Sequence, residues 1–383
     1  MYKLDLNQMT QDEFLTQYWQ KKPVVIRQGF KDFVDPISMD EFAGIAMEET
    51  VQSRLLSKKD GQWQAEFGPF ESYGHLGERD WSLVIQALDN FSEEAAELIE
   101  PFRFLPHWRL DDLMASFATP GGSVGPHVDN YDVFICQGSG KRHWRVGHRG
   151  QYEEVIAHEA LLHVAPFEAL IDVALEAGDI LYIPPGYPHE GVALEPSMSF
   201  SIGFRANSAI SLLSGFADHL IDNDLGGTLL EDSSRQSTTN SGEVSSADYA
   251  SLKQQLQNLL DDDQVFGNFI GGFLTTAKHE LDLMPSEEPF ERDEVRELLG
   301  IHGIKRLGGL RAFYFEETIN EGICFINGER VSFVADIAPA VKLLCNNLTV
   351  MPDELAAWKN NEDFISLMVK LLDLGYWFWV EAE

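Results

Sequence analysis

The sequence has few cysteines and no long apolar run. Its 383 residues include three cysteines, Cys136, Cys324 and Cys345, and no two of them form a C-x-x-C pair. Such spacing argues against both a disulfide framework and a zinc knuckle. No uninterrupted apolar segment reaches membrane-spanning length, and the first residues lack the cationic and apolar stretches of a signal peptide. We therefore expect a soluble, cytoplasmic protein that does not contact membranes.

Positive charge is also scarce. The chain carries 28 Lys and Arg against 62 Asp and Glu, which gives a formal net charge of −34 at pH 7. This balance opposes direct binding to nucleic acids, whose phosphates are recognised by Lys and Arg, and it favours a cationic macromolecular partner. The alternative is that the acidic surface only keeps the protein soluble.

Apolar and aromatic residues, by contrast, are abundant. Hydrophobic residues make up 44% of the chain and include eight Trp and 25 Phe, enough for two or three folded domains. Residues 1–110 mix helical with strand-like stretches. From about 110 to 205, short β-rich runs such as YDVFICQGSG alternate with Gly and Pro, which predicts an antiparallel sandwich or barrel.

The pattern becomes helical after Asn207. A polar, low-complexity segment near 231–248 predicts a mobile loop between two helical stretches. The apolar faces of these helices are too exposed in a single chain, so we expect them to bury against a second copy of the chain; the alternative is that they cover the β-rich part of their own chain. The faces include six large side chains: Leu212, Leu213, Phe216, Leu220, Phe269 and Phe273. Beyond the Pro- and Glu-rich MPSEEPFERDE, helical and strand-like pieces with a tight Asn327-Gly328 turn predict a small α+β module.

The stretch GPHVDNYDVF places His127 and Asp129 two residues apart, a spacing that points both side chains to one face of a strand. The triplet alone is unspecific, because roughly two His-x-acid triplets are expected by chance in this composition. However, GDILYIPPGYPHEG predicts a strand and a Pro-Pro-Gly turn that delivers His189. Two histidines and one carboxylate form the facial triad of non-haem Fe(II) oxygenases, which leaves positions open for a co-substrate and dioxygen. Manganese and nickel remain alternatives.

The next segment, GSGKRHWRVG, is rich in cations. If the open metal positions hold a 2-oxo acid, its far carboxylate needs a fixed cation, and the planar fork of Arg142 suits two carboxylate oxygens. Lys141 and Arg145 compete for this role. A simple hairpin would pair Arg142 with Cys136, on the face away from the metal, so the assignment requires a bend or bulge near Asn130-Tyr131-Asp132.

These segments, together with the upstream YWQKKPVVIR, resemble the JmjC-type 2-oxoglutarate oxygenases, and in particular the bacterial ribosomal oxygenases that hydroxylate an arginine of a large-subunit ribosomal protein. The resemblance spans nearly the whole chain. It implies a mainly β catalytic core over residues 1–207, a cupin-like JmjC double-stranded β-helix with flanking helices and its centre at about 95–205. A helical dimerisation region over 208–284 and a winged-helix-like α+β domain over 285–383 would follow.

The family pattern makes His127, Asp129 and His189 the ligands of Fe(II), and Arg142 the anchor of the oxoglutarate C5 carboxylate. Ser116, in MASFATPGG, matches a family hydroxyl that contacts the same carboxylate. Many JmjC demethylases use a lysine as this anchor, so an arginine favours the ribosomal branch. The resemblance further implies oxoglutarate and dioxygen as co-substrates, a basic large-subunit ribosomal protein as substrate, and a homodimer.

Three other functions stay open. A DNA-binding regulator would use the C-terminal module, but from Pro285 onward nine Lys and Arg stand against eighteen Asp and Glu, a net charge of −9 where such a module should be basic. A metal-dependent cupin of another type, such as an isomerase or a storage-like protein, would give Arg142 a structural role and release no succinate. A JmjC lysine demethylase would share the reaction cycle and differ in substrate.

Overall fold

The computed structural model describes residues 2–381, so the predicted outer boundaries at 1 and 383 lie outside the described chain. Within it, ten α-helices span α1 Gln11–Gln17, α2 Met39–Ile45, α3 Glu93–Glu97, α4 Ala209–Asp222, α5 Ser246–Leu260, α6 Asp263–Thr275, α7 Arg292–Leu298, α8 Ala338–Asn346, α9 Pro352–Leu355 and α10 Glu362–Asp373. None of the helices in residues 2–381 has the length and apolar character that a membrane span requires.

Twenty β-strands lie in the same part of the chain. They span β1 Val24–Ile26, β2 Ser53–Lys59, β3 Gln62–Phe67, β4 Trp81–Ile85, β5 Leu110–Ala118, β6 His127–Val128, β7 Asp132–Gln137, β8 Arg142–Gly147, β9 Glu154–His158, β10 Leu161–Val164, β11 Ala169–Leu175, β12 Ile180–Ile183, β13 Pro188–Ala193, β14 Ser197–Phe204, β15 Gly303–Arg306, β16 Ala312–Phe313, β17 Ile323–Ile326, β18 Glu329–Ser332, β19 Thr349–Val350 and β20 Trp377–Val380.

Two antiparallel sheets form the core of the N-terminal half. The larger has eight strands in the order β1-β12-β7-β14-β5-β4-β2-β3, and the smaller has four in the order β11-β8-β13-β6. They face each other, because Val133 and Leu181 of the larger sheet pack in one apolar cluster with Trp144 and Leu175 of the smaller. This arrangement confirms the predicted mainly β, cupin-like core.

Strand β7 shows how the sequence fills both sides of the larger sheet. All of its residues are buried. Val133 and Ile135 face the smaller sheet, whereas Phe134 and Cys136 belong to a second apolar core. Successive side chains of a strand point to opposite faces, so an uninterrupted apolar run fits a strand that is covered on both sides.

Helices α1 and α2 help to cover the second core. Each begins with a capping box, Thr10 with Glu13 and Ser38 with Glu41, which satisfies backbone N–H groups that the first helical turn leaves unpaired. From α1, Phe14 is fully buried, and its ring meets that of Tyr182 edge-on at 5.0 Å between centroids. Burial of such a side chain stabilises the fold by about 1.5–3 kcal/mol.

The C-terminal part contains two three-stranded antiparallel sheets, β19-β15-β20 and β16-β17-β18. Asn327 and Gly328 both have positive φ, 49° and 84°, and form the tight turn between β17 and β18 that the Asn-Gly pair predicts. Helix α10 follows, and GYWFWV supplies the final strand β20. The predicted α+β, winged-helix-like fold is therefore confirmed.

The chain forms two compact units, and both are discontinuous in sequence. One comprises the residues up to Ala206, Ala277–Leu310 and the residues from Asn347 onward, and the other comprises Asn207–Thr276 and Arg311–Asn346. The division predicted from sequence, 1–207, 208–284 and 285–383, used continuous segments instead.

The helices of the second unit differ in two ways from the sequence expectation. Phe216 of α4 and Phe269 of α6 are buried against each other, with ring centroids 5.2 Å apart, so the expectation that these two side chains are exposed in a single chain is wrong. Leu213 does stay 60% exposed. The predicted loop near 231–248 lacks regular structure up to residue 245, and its last residues belong to α5, which begins at Ser246.

Candidate metal centre

A short strand and a glycine turn position His127. Strand β6 holds His127 and Val128, and Asp129 follows directly after its end. Before the strand, Gly125 has a φ of 82°, and a Cβ at this position would lie 2.2 Å from the ring of His163. Both the positive φ and the lack of space therefore exclude a side chain at position 125. The carbonyl of Gly125 accepts a hydrogen bond from Nδ1 of His127 at 2.9 Å.

The Pro-Pro-Gly turn delivers the second histidine. Strand β13 pairs with β6 so that His189 lies directly opposite His127. In the turn before β13, Gly186 has a φ of 84°, and its N–H donates to the carbonyl of Asp129 at 2.9 Å. The turn thus fixes the backbone next to the carboxylate as well as the strand that carries His189.

The three side chains converge, and we call them the His-Asp-His cluster: His127, Asp129 and His189. Their ligand atoms all lie within 4.8 Å of one another. Oδ2 of Asp129 is 3.8 Å from Nε2 of His127 and 3.4 Å from Nε2 of His189. Both Nδ1 atoms face backbone carbonyls, that of His189 meeting the carbonyl of Tyr187 at 3.1 Å. Since a carbonyl only accepts, both Nδ1 atoms carry the proton, and both Nε2 atoms keep a free lone pair.

The protonation states also suit a cation. Burial, together with the neighbouring charge of His189, lowers the pKa of His127 to about 4, so its imidazole is neutral at pH 7. Burial on its own raises the pKa of Asp129, but in the acid range where this carboxyl titrates His127 is protonated, and its charge, together with interactions with His189 and Tyr131, outweighs burial and brings that pKa down to about 2. Neutral imidazoles and an ionised carboxylate are the forms that bind a divalent metal.

Arg142 lies in the same cavity as the cluster. Its side chain is buried, and it donates from Nε to Ser197 Oγ at 2.9 Å, from Nη1 to Ser116 Oγ at 2.7 Å, and from Nη2 to the carbonyls of Ser116 and Ser197. These bonds use four of its five N–H donors, so one donor on Nη1 remains. From the sequence we expected both arms of the Arg142 guanidinium to be available to a ligand. In the structure, protein groups already accept hydrogen bonds from most of it.

No carboxylate of residues 2–381 forms an ion pair with Arg142. Burial lowers the pKa of its guanidinium to about 9, so it still carries its charge at neutral pH. A buried charge without an opposite charge is costly. The cavity therefore offers a fixed cation to an anionic ligand.

The competing cations point elsewhere. Residues of β8 alternate between the cavity and the outside, with Arg142 and Trp144 lining the cavity. Lys141 instead reaches Glu176 at 2.7 Å, and Arg145 donates to the carbonyl of Phe167. The parity argument from sequence failed because β7 and β8 do not form a hairpin. They belong to different sheets, and Arg142 lies opposite Leu175 and Ala193.

The required bend is present at Asn130 and Tyr131, where the chain leaves the smaller sheet after β6 and enters the larger one at β7. Because the sheets face each other, residues of both can line one cavity. The chain then returns to the smaller sheet at β8, which pairs with β13 so that His189 lies opposite both His127 and Val146. Arg142 precedes Val146 by four residues on β8, so strand parity within the smaller sheet places Arg142 on the face that carries the two histidines.

The cavity has a volume of about 250 Å³ and is lined by 23 residues, among them the cluster, Ser116 and Arg142. Three further lining residues were not identified from the sequence: Ser82, Trp144 and Ser199. Each has a buried polar atom without a hydrogen-bond partner within the described chain. For Ser199 a signal existed, because SMSFSIGF alternates Ser with large apolar residues, and the alternation puts the hydroxyls on the cavity side.

Known proteins resemble this chain along nearly its whole length. The JmjC domain family matches residues 97–212, and the ROXA-like winged helix family matches residues 258–378. The ribosomal protein uL16 3-hydroxylase of Escherichia coli is 44% identical over 99% of both chains. A probable ribosomal oxygenase of Haemophilus influenzae is 31% identical over 84% of this chain and 82% of its own.

Solved structures agree with the sequence relatives. A structure of the Escherichia coli ribosomal oxygenase YcfD in complex with cobalt and 2-oxoglutarate is 43% identical, covers 99% of both chains and superposes with a TM-score of 0.90. The double sheet, the His-Asp-His cluster and these full-length matches together show that the chain belongs to the JmjC-domain ribosomal oxygenases.

Proposed function

We propose that the protein is an Fe(II)- and 2-oxoglutarate-dependent hydroxylase that acts on an arginine side chain of a large-subunit ribosomal protein. The observation that carries this proposal is a buried arginine without a carboxylate partner in the same cavity as two histidines and an aspartate. In the reaction, dioxygen supplies one oxygen atom to a substrate C–H, which becomes C–OH. The other oxygen atom enters oxoglutarate, which is oxidised to succinate and CO₂.

The His-Asp-His cluster would hold the iron through the two Nε2 atoms and Oδ2 of Asp129. When bound, the iron supplies dioxygen activation, and three facial ligands leave the remaining positions free for the co-substrates. The hydrogen bonds from Nδ1 of His127 and His189 to backbone carbonyls keep both rings in the orientation that presents Nε2. The chain therefore contributes a preorganised ligand set.

Arg142 and Ser116 would hold the far carboxylate of oxoglutarate. The remaining N–H on Nη1 of Arg142 can donate to one oxygen. The Ser116 hydroxyl, which accepts from Arg142, can donate its own hydrogen to the same carboxylate. Ser199, opposite Ser116 in the β14–β5 pairing, offers a further unpaired hydroxyl on the same side of the sheet. The site thus presents one fixed cation and hydroxyl donors to a dicarboxylate.

The substrate side of the proposal rests on charge and on relatives. A chain with a net charge of −34 attracts a basic ribosomal protein, and one relative carries the name of a ribosomal protein uL16 3-hydroxylase. In the cavity, Tyr131 adds an aromatic wall. Burial and the negative charges of Asp129 and Asp112 raise the pKa of Tyr131. An aromatic ring in an electronegative environment suits a guanidinium.

The test compares two substrate classes. The protein is incubated with Fe(II), oxoglutarate and air, together with ribosomal protein uL16 or with methyl-lysine peptides. We expect a gain of about 16 daltons on an arginine of uL16 and no loss of about 14 daltons from methyl-lysine. Matched controls are uL16 with the modified arginine replaced by lysine, and a His189→Ala enzyme. Demethylation without any gain on uL16 would assign the protein to the demethylases and refute the substrate proposal.

We further propose a homodimer formed through the second unit. Helix α5 has no buried residue, and it carries an exposed apolar stripe: Tyr249, Leu252, Leu256 and Leu260. Their spacing of three and four residues places them on one face, and a continuous apolar face is typical of an interface. A C₂ dimer is the commonest way to cover such a face.

The remaining proposals concern organisation and location. We propose that residues 1–207, 208–284 and 285–383 serve as the catalytic, dimerisation and winged-helix domains. We also propose a cytoplasmic location and no direct contact with nucleic acid, since the C-terminal part has a net charge of −9.

A further inference from the structure

A second pocket, which we call the indole pocket, shares no lining residue with the cavity of the His-Asp-His cluster. It has a volume of about 440 Å³. Its walls are the turn at residues 89–93, the segment 282–290 and the turn at Gly308, and β20 contributes a row of aromatic side chains. All of these residues belong to one compact unit.

The lining of the indole pocket combines aromatic rings with carboxylates. Its lining residues include three acids, Asp89, Glu93 and Asp282, and no Lys, Arg or His. Five of them are aromatic: Phe91, Phe290, Trp377, Phe378 and Trp379. Aromatic faces attract cations, and Trp does so most strongly. The pocket therefore suits a cationic group and disfavours phosphate or nucleic acid.

The acids differ in how far they are already engaged. Asp89 is 3% exposed and accepts from the backbone N–H of Leu113, so its role is structural. Glu93 lies 3.1 Å from Nζ of Lys305. Asp282 is exposed and has no ion-pair partner in the described chain. Its carboxylate is the negative charge that a ligand can use.

Two lining tryptophans have unpaired donors. Nε1 of Trp377 and Nε1 of Trp379 are buried and have no hydrogen-bond partner within residues 2–381. Trp377 is 1% exposed. A buried N–H without an acceptor is unfavourable, so a ligand that offers a carbonyl oxygen would be stabilised by it. A peptide segment offers such carbonyls beside its cationic side chains.

The pocket is built on fixed backbone. Asp373, at the end of α10, accepts from Ser286 N–H at 3.0 Å through its carbonyl, and from Phe290 N–H at 2.9 Å through its side chain. Leu307 N–H donates to the carbonyl of Tyr376. Hydrogen bonds thus connect the wall 282–290 to the end of α10, directly before the aromatic side chains of β20. The pocket backbone is therefore already fixed, and ligand binding would cost little conformational entropy.

We propose that the indole pocket is an exosite that binds a Lys or Arg side chain of the basic protein substrate, outside the residues that enter the metal cavity. The side chain lies against the indole rings beside Asp282, and the adjoining peptide carbonyls accept from the tryptophan N–H groups. The identity of the partner rests on the proposed function. A substrate that occupies the metal cavity and the indole pocket at the same time binds more tightly, because the second contact forms within the same complex.

The experiment uses the full-length enzyme with Asp282→Lys, and Glu49→Lys as the matched control, since Glu49 is also exposed and its replacement makes the same change in net charge. KM and kcat are measured with full-length uL16 and with a short peptide that contains the modified arginine. We expect Asp282→Lys to raise KM for full-length uL16 about five- to tenfold with kcat unchanged. KM for the peptide should stay the same, and Glu49→Lys should affect neither substrate by more than about twofold.

Trp379→Leu should produce the same split between protein and peptide, with thermal melting to verify its fold. The exosite would be refuted if KM rose equally for the peptide and for full-length uL16, or if Asp282→Lys and Glu49→Lys raised KM for uL16 equally. If uL16 is not hydroxylated at all, the proposed function fails, and calorimetric binding of uL16 without iron or oxoglutarate decides the exosite separately. Weaker binding by Asp282→Lys than by Glu49→Lys supports it, and equal binding refutes it.

Discussion

Replacing Arg142 tests the assignment of the oxoglutarate site most directly. In Arg142→Ala, the cavity loses its fixed cation and the remaining N–H on Nη1, while the Ser116 hydroxyl stays in place. The His-Asp-His cluster does not contact Arg142 through any hydrogen bond in the described chain, so the metal site should survive. We therefore expect the variant to bind iron normally and oxoglutarate weakly.

The magnitude follows from the contacts. A hydrogen bond to a charged group contributes about 1.5–3 kcal/mol, which corresponds to an affinity for oxoglutarate that is weaker by roughly 10- to 150-fold when the bond is lost. The fold loses stability separately, because the carbonyls of Ser116 and Ser197 each lose a hydrogen bond from a charged donor, and such a bond contributes about 1.5–3 kcal/mol. Removal of a buried charge without an ion-pair partner offsets part of that loss.

The assay is succinate release at varied oxoglutarate concentration, with oxoglutarate binding measured separately in the absence of dioxygen. Lys141→Ala is the matched control, since Lys141 is the sequence neighbour of Arg142 and forms only a solvent-exposed ion pair with Glu176. Thermal melting of both variants shows whether the fold is retained. If Lys141→Ala raises the KM for oxoglutarate and Arg142→Ala leaves it unchanged, the assignment of the carboxylate site is wrong.

Four further predictions can be tested with standard assays. Alanine at any member of the His-Asp-His cluster should abolish succinate release and the rise in melting temperature on adding Fe(II), whereas near-normal turnover in two of the three variants would exclude the cluster as the iron site. Gly125→Ala should lower the free energy of unfolding in urea by about 1–3 kcal/mol, while Gly44→Ala, inside α2 and with no atom within 4 Å, should raise it by up to about 1 kcal/mol; similar effects in both would contradict the steric argument. Leu256→Asp should convert dimers into monomers in light scattering and Gln257→Asp should not, and a monomeric wild type at micromolar concentration would rule out the dimer. The kcat/KM for uL16 should fall as salt rises past about 0.15 M, where the Debye length is about 8 Å, and a salt-independent value would argue against electrostatic steering.

The metal residues could be predicted from sequence because each lies beside a local signal. Gly125 precedes His127 and Asp129, and a Pro-Pro-Gly turn precedes His189, so the sequence displays both the ligands and the turns that orient them. The β-rich texture between residues 110 and 205 likewise predicted the double-sheet core. Such signals act over a few residues and do not depend on distant partners.

The sheet to which each strand belongs could not be predicted in the same way. Strands β7 and β8, joined by Gly-Ser-Gly, read as a hairpin, yet they lie in different sheets. The connection is held by a distant residue, because the carboxylate of Asp35 accepts from the backbone N–H of Ser139 at 2.9 Å. A contact across 104 residues leaves no trace in local pattern. The burial of Phe216 against Phe269 is a second case of a partner that local sequence does not reveal.

The two faces of the larger sheet have different roles: the outer face packs in the apolar core, and the inner face lines the cavity. On the outer face of β14, Met198, Phe200 and Ile202 are fully buried in the larger apolar core, where each contributes about 1.5–3 kcal/mol. On the inner face, Ser199 and Ser201 alternate with them, and these small side chains leave the space that the cavity occupies. Large apolar residues at the two serine positions would pack the sheets together and fill that space. We infer that the cavity exists because the inner face of β14 carries small serine side chains that do not fill the space between the sheets. The tightly packed outer face compensates for the stability that this unfilled space costs.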